Sequence, residues 1–202
     1  AYEWYRDHVG ADDLQTMHVT HNFARNLNFT GGHAEAAELL QHLIELGDHR
    51  RPKPPATARV FYRLDCARAL AYVGRVDEAL AMGRDNLRLA QAELGASNFE
   101  AGRAHLAHAE ICQKQHLLDE AASVCRSARD IFWRANGPIE DYSVKALNLL
   151  LSIQQERGDT KALLVTHREA VQAFDSKLGP AHSDTLDRVV QYGRALLAAG
   201  SL

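Results

Sequence analysis

Cysteine is nearly absent: the 202 residues hold only Cys66, Cys112 and Cys125, too few and too scattered for a disulfide framework or a zinc site. With no CxxC among them, they suit buried thiols in a reducing cytosol. No apolar run approaches the ~20 residues that cross a membrane, and no signal-peptide pattern opens the chain. A dominant charge is lacking as well. The net charge of −3 leaves no general basic surface for nucleic acid or an acidic membrane. Lysine is scarce, 5 residues beside 18 arginines, which with abundant alanine hints at a GC-rich bacterial genome. β-Branched residues are sparse and nowhere alternate usefully with polar ones, so no strand is expected. No glycine-rich loop follows a strand, which leaves nucleotide binding without support. The aromatics do not interleave with basic residues, which argues against stacking on bases. The start, AYEW without methionine, reads as a cut out of a longer protein.

What the chain does have is a period. Four segments share one plan: GGHAEAAEL (31–39), GRVDEALAM (74–82), HLLDEAASV (116–124) and RGDTKALLV (157–165). Their alanines, Ala36, Ala79, Ala121 and Ala162, are 43, 42 and 41 residues apart. Twelve positions before each stands a small residue, Ala24, Ala67 or Ala109, replaced in the fourth by Leu150. After each alanine an apolar pattern of helical period runs on to a glycine: Gly47, Gly95, Gly137 and Gly179. Glycine at such a place suits a left-handed helix C-cap. Each unit therefore reads as two antiparallel helices. A single hairpin cannot bury its apolar stripe, but stacked hairpins bury a continuous one.

The phase reaches both ends, giving one domain with approximate units 1–12 (partial), 13–56, 57–97, 98–138, 139–181 and 182–202 (partial). The irregular stretch is GDHRRPKPPATARVF (47–61), where Pro52, Pro54 and Pro55 bar a helix. A longer, stiff connector is expected there; RPKPP also reads as a proline-rich ligand.

The N-x-A start of the first unit (Asn22, Phe23, Ala24), GRVDEA in the second, DEA in the third and LGPAHSDTL (178–186) carry a family likeness. They resemble a tetratricopeptide repeat array, in the longer form found in kinesin light chains and many bacterial signalling proteins. Ser183 stands where that family usually has proline, and His116 where it has a turn glycine. Leu150 implies wider helix spacing in its unit. The resemblance implies an all-α, right-handed α-solenoid of antiparallel helix pairs, about ten helices in all. In the family, the first helices of the pairs line a concave surface that binds peptide segments.

Carried over by position, that surface takes residues one helical turn apart on the face away from the alanines. The first unit offers His18, Asn22 and Arg25, with Phe29; the second Asp65, Arg68 and Tyr72; the third Arg103, Glu110 and Lys114. The fourth offers Asn148 and Gln155, and the last helix Gln191 and Arg194. Arg25, Arg68 and Arg194 share one slot. Asn22 and Asn148 share its neighbour, where the family's Asn commonly holds peptide backbone. Arginine forks suit carboxylates, so the expected ligand is a peptide with acidic side chains or a free carboxylate. Arg68 also has partners within the chain, Asp65 one turn away and Glu110 in the next unit.

The eleven histidines include two i,i+3 pairs, His18 with His21 and His105 with His108, but no HExxH joins them. His33-Ala-Glu35 resembles the deaminase H-x-E without the P-C-x-x-C that must follow. No catalysis, metal or cofactor is expected. The reading is a cytoplasmic protein-interaction module whose partner is a protein or peptide, with no nucleic acid and no membrane. The alternative is a regulatory or sensor domain of a bacterial signalling ATPase, kinase or transcription regulator, binding its own chain or a small effector.

Overall fold

Turn residues set where the helices stop. Gly95, Gly137 and Gly179 all take positive φ, between 87° and 91°, a region open to glycine because it has no Cβ. The computed structural model describes residues 2–200, and among these every regular element is an α-helix. They are α1 (Tyr2–His8), α2 (Leu14–Thr30), α3 (His33–His49), α4 (Ala56–Tyr72), α5 (Val76–Glu93), α6 (Phe99–Lys114), α7 (Leu118–Asn136), α8 (Asp141–Glu156), α9 (Thr160–Leu178) and α10 (Ser183–Ala198). Within GRVDEAL, Gly74 makes the left-handed turn (φ 83°), and Asp77 and Glu78 stand in the first turn of α5. Acids there complement the positive end of the helix dipole. Forty-two residues on, His116 replaces that glycine and still adopts φ 56°, its Nδ1 2.9 Å from Glu156 Oε1.

One expected cap is absent. Gly47 is not the left-handed end of α3; the helix continues through it to His49. Its smallness serves packing instead, since an added Cβ would lie 3.3 Å from Met17 Cε and 3.4 Å from Pro54 Cγ. The proline-rich connector spans 50–55 and is fastened at several points. Pro54 is buried and its carbonyl accepts from Arg59 Nε (3.1 Å). Arg59 then pairs with Glu93, and Arg50 Nε donates to the Asp12 carbonyl.

The chain divides into two compact units, one up to Ile111 and one from Cys112 on. In unit 1, α2 pairs with α3 and α4 with α5, and α3 packs on α4. Met17, Leu40, Leu43 and Leu70 are fully buried there, and Val60 packs with Ala90, Ala101 and Ala104. In unit 2, α7 packs on α8, α8 on α9 and α9 on α10. Its core holds Phe132, Leu150 and Ile153, with Leu147, Leu151, Ala170 and Phe174 in one cluster. Ala24, Ala36, Ala67, Ala79, Ala109 and Ala121 are buried as the repeat requires, whereas Ala162 is only half-buried.

At Gly83 of α5 a neighbouring side chain lies directly against the backbone. A Cβ added there would lie 2.2 Å from Nδ1 of the buried His108 ring on α6. Gly83→Ala therefore lowers stability by about 1–3 kcal/mol, against an intrinsic helix preference that favours Ala by ~1 kcal/mol. Gly193 on α10 has nothing within 4 Å of the same point, so Gly193→Ala raises stability by about 0.5–1 kcal/mol. Urea unfolding of the two variants checks both signs.

Candidate functional site

The sequence-predicted residues fall into two sets, one in each unit. In unit 1 they form a polar strip on α2, α4 and α6. Asn22 Nδ2 donates to His18 Nε2 (3.3 Å), and both side chains are exposed. Asp65 is buried: its carboxylate accepts from His21 Nε2 at 2.9 Å and lies 3.6 Å from Arg25 Nε. Arg68 pairs with Glu110 at 2.8 Å, the second of its two candidate partners. Arg103 pairs with Glu100 (3.1 Å) and lies over the Phe61 ring. Tyr72 is exposed and stacks on His33, with centroids 4.3 Å apart, while Phe29 stands almost free at the end of α2. His21, the partner of Asp65, is not among the surface residues singled out from the sequence. The two are 44 residues apart, about one period, which is the signal that was available.

In unit 2, Lys114 is exposed at the end of α6. The other predicted residues converge. A cleft of about 580 Å³ opens among α8, α9 and α10. Its α8 wall is Asn148, Ser152 and Gln155, at helical spacing on one face. Thr160, Leu163 and His167 come from α9, and Gln191, Arg194, Ala195 and Ala198 from α10. All four positions carried over onto α8 and α10 thus share this one cleft. Arg194 is exposed and bonded to no side chain among the described residues. Gln154 is buried at the base, its Nε2 donating to Thr166 Oγ1 (3.0 Å). Asn148 Oδ1 accepts from Arg188 (2.9 Å), a residue that the sequence reading did not select.

The histidines do not gather as a metal set at His18 and His21: one faces solvent beside Asn22, the other turns inward to Asp65. His167 is buried, and burial, then the nearby Arg188 charge, holds its pKa below the ordinary value. Burial does the same to His105, partly offset by its bond to the Ala101 carbonyl. Both histidines refuse protons in the folded state that they accept near pH 6.5 in the unfolded chain. Stability is therefore complete above that pH and falls as pH drops below it. Thermal unfolding between pH 7.5 and 5 should show the decline, and His167→Gln should flatten it.

No family model matches the chain, and no curated protein matches it. Solved structures do. A Podosopora anserina protein of nearly identical, TPR-like kinesin light chain repeats superposes with a TM-score of 0.75 at 19% identity, over 91% of this chain and 87% of that one. BtubC (BKLC) from P. vanneervenii gives 0.72 at 16% identity, over 98% and 77%. The apo form of RapI gives 0.71 at 11%, over 98% and 74%. At such identities the likeness speaks for the fold, and it agrees with the helix pairing and the period: the chain folds as a tetratricopeptide-like array of antiparallel helix pairs.

Proposed function

We propose that this chain is a protein-interaction module that captures a segment of a partner protein in the unit 2 cleft. The observation that carries this is the convergence of Asn148, Gln155, Gln191 and Arg194 on one cavity of about 580 Å³, within the size range of ordinary ligand sites. Its mixed lining suits an extended peptide: amides for backbone groups, Leu151, Leu163 and Ala195 for apolar side chains, Arg194 for a carboxylate. Unit 1 contributes differently. Its arginines at positions 25, 68 and 103 already face Asp65, Glu110 and Glu100, so a preference for acidic segments belongs to unit 2. The strip of His18, Asn22, Phe29 and Tyr72 then offers amide, imidazole and aromatic contacts. The role needs no chemistry from the protein, and the setting is a reducing cytoplasm. The three cysteines are all buried and in no disulfide among the described residues, and burial pushes the Cys66 thiol up to about 12, an unreactive form.

Selection from a displayed random-peptide library tests the reading. Captured peptides should lose about tenfold in affinity, near 1.4 kcal/mol, on Asn148→Ala or Arg194→Ala. Arg25→Ala and Arg68→Ala should cost less, because both side chains already have partners within the fold. Unchanged affinity in both unit 2 variants removes the cleft as the seat. A small molecule released from purified protein on denaturation, and competing with the peptides, would transfer the cleft to the sensor reading.

A further inference from the structure

α10 carries its polar and apolar residues on the wrong sides for a helix of this array. The two residues that it buries are Thr185 and Arg188. Arg188 fills a slot that holds the buried Tyr62, Ala104 and Ala146 at 42-residue intervals before it. Its guanidinium is accommodated there by Asn148 Oδ1 (2.9 Å), Gln191 Oε1 (3.2 Å) and the Phe174 ring. The apolar side chains are turned away from that side. Leu186, Val189, Val190 and Leu197 are 50%, 45%, 51% and 66% exposed. With Gly193 they recur at i, i+3, i+4, i+7 and i+11, the spacing of one helix face. In the earlier helices this register is core. Leu147 precedes Val189 by 42 residues, Leu106 and Leu64 precede Val190 by multiples of 42, and Leu151, Ala109 and Ala67 precede Gly193 in the same way. None of those six is more than 8% exposed.

Two charges of opposite sign border the stripe on one flank. Asp187 and Arg194 are seven residues apart, about two turns of helix, so they share one edge. Both are exposed, and neither is ion-paired or hydrogen-bonded to a described side chain; Asp187 acts on Arg188 only at longer range. Within the stripe, Gly193 has nothing within 4 Å of an added Cβ, a gap that lets a second helix backbone approach. An acid and a base two turns apart cannot reach each other on one helix. They can across an antiparallel pair of α10 helices. A two-fold axis between Val190 and Gln191 sets Asp187 opposite Arg194 of the second copy, and Arg194 opposite its Asp187. Such an axis keeps the charged flank on the same side of both copies, so the two ion pairs form together. A parallel pairing would set acid on acid and base on base, which is unfavourable.

We infer that α10 is a self-association surface: two copies of this chain pair through it as an antiparallel two-fold dimer, with the apolar stripe at the centre and the Asp187–Arg194 pairs on the rim. An apolar centre within a polar rim is the ordinary build of a specific interface. A single helix pair lies at the low end of interface sizes, below about 1,200 Å² in total, so the dimer exchanges with monomer. Arg194 also lines the unit 2 cleft, so the second copy competes there with a peptide carboxylate. The inference itself needs no ligand in that cleft.

Sedimentation velocity over a wide range of protein concentration tests this. The mass should rise from that of one chain to a plateau at two. Val190→Lys, beside the axis, sets two like charges face to face and should abolish the rise. Its far-UV CD and its Tm in dilute solution should stay at the parent's, because half of Val190 is already in water. Asp187→Arg and Arg194→Asp should each weaken the dimer about tenfold, and the two changes together should restore it. The native thiols are all buried, so Val190→Cys supplies a reactive one that should cross-link to its own copy on mild oxidation. Leu197→Cys, at the far end of the stripe, should not. The mass of one chain at every concentration overturns the inference and leaves the stripe to another segment. Growth beyond two chains overturns it as well, being the mark of a head-to-tail array. A dimer that Val190→Lys leaves intact lies elsewhere on the molecule, and a double charge variant no tighter than the single ones removes the antiparallel register.

Discussion

Close approach of helices at small side chains is the contact on which each unit depends. A two-helix hairpin has too little apolar surface to fold alone, so it must lie against a neighbour at short range over much of its length. Alanine and glycine permit that approach. Ala24, Ala36, Ala67 and Ala79 are buried in the first two hairpins, and Gly83 lets the His108 ring reach the backbone of α5. Where the small residue gives way to a large one, the neighbourhood changes with it. Leu150 is fully buried and Ala162, on the facing helix, is only half covered.

The same register governs the polar contacts. Arg68 meets Glu110 at a separation of 42 residues, Arg25 meets Asp65 at 40, Arg129 meets Glu169 at 40, and Arg188 meets Asn148 at 40. A side chain on one hairpin thus faces its near-equivalent on the next. Whether an arginine on such a helix is available to a ligand is decided about one period away along the chain. In unit 1 the answering residue is an acid, and the charge is neutralised. In unit 2 Arg129 is answered by an acid as well, Glu169, whereas Arg188 is answered by amides and Arg194 by no described side chain.

This explains what could be read in the sequence and what could not. The period located the hairpins, the left-handed glycines and the buried alanines, because each depends on local chemistry repeated at a fixed distance. It also brought four chosen residues to one cleft, since positions on α8 and α10 are fixed by helical spacing. Gly47 misled because a glycine near a helix end can serve as a cap or as a packing gap, and only the position of Pro54 decides which. Asp65 was legible as a face residue but not as a buried one, because the imidazole that draws it inward belongs to another hairpin. Arg188 was missed for the opposite reason. Its register is apolar, and nothing in α10 itself shows that Phe174 and Asn148 accommodate a guanidinium.

The difference between an acid and an amide as the partner of a buried arginine reaches the surface. A carboxylate partner satisfies the guanidinium in charge and in hydrogen bonds and leaves nothing directed outward. An amide partner supplies only a dipole, so the charge stays uncompensated, and the amide's own donors are turned away from the cation. The first arrangement answers the guanidinium in full within the fold; the second leaves its charge without a counter-charge beside the cleft wall. Low dielectric makes that charge felt there, because a charge screened by protein rather than water acts more strongly across one side chain. Unit 1 and unit 2 share one fold and one period; what differs from one arginine to the next is the residue that answers it, an acid for Arg68 and Arg129, amides for Arg188.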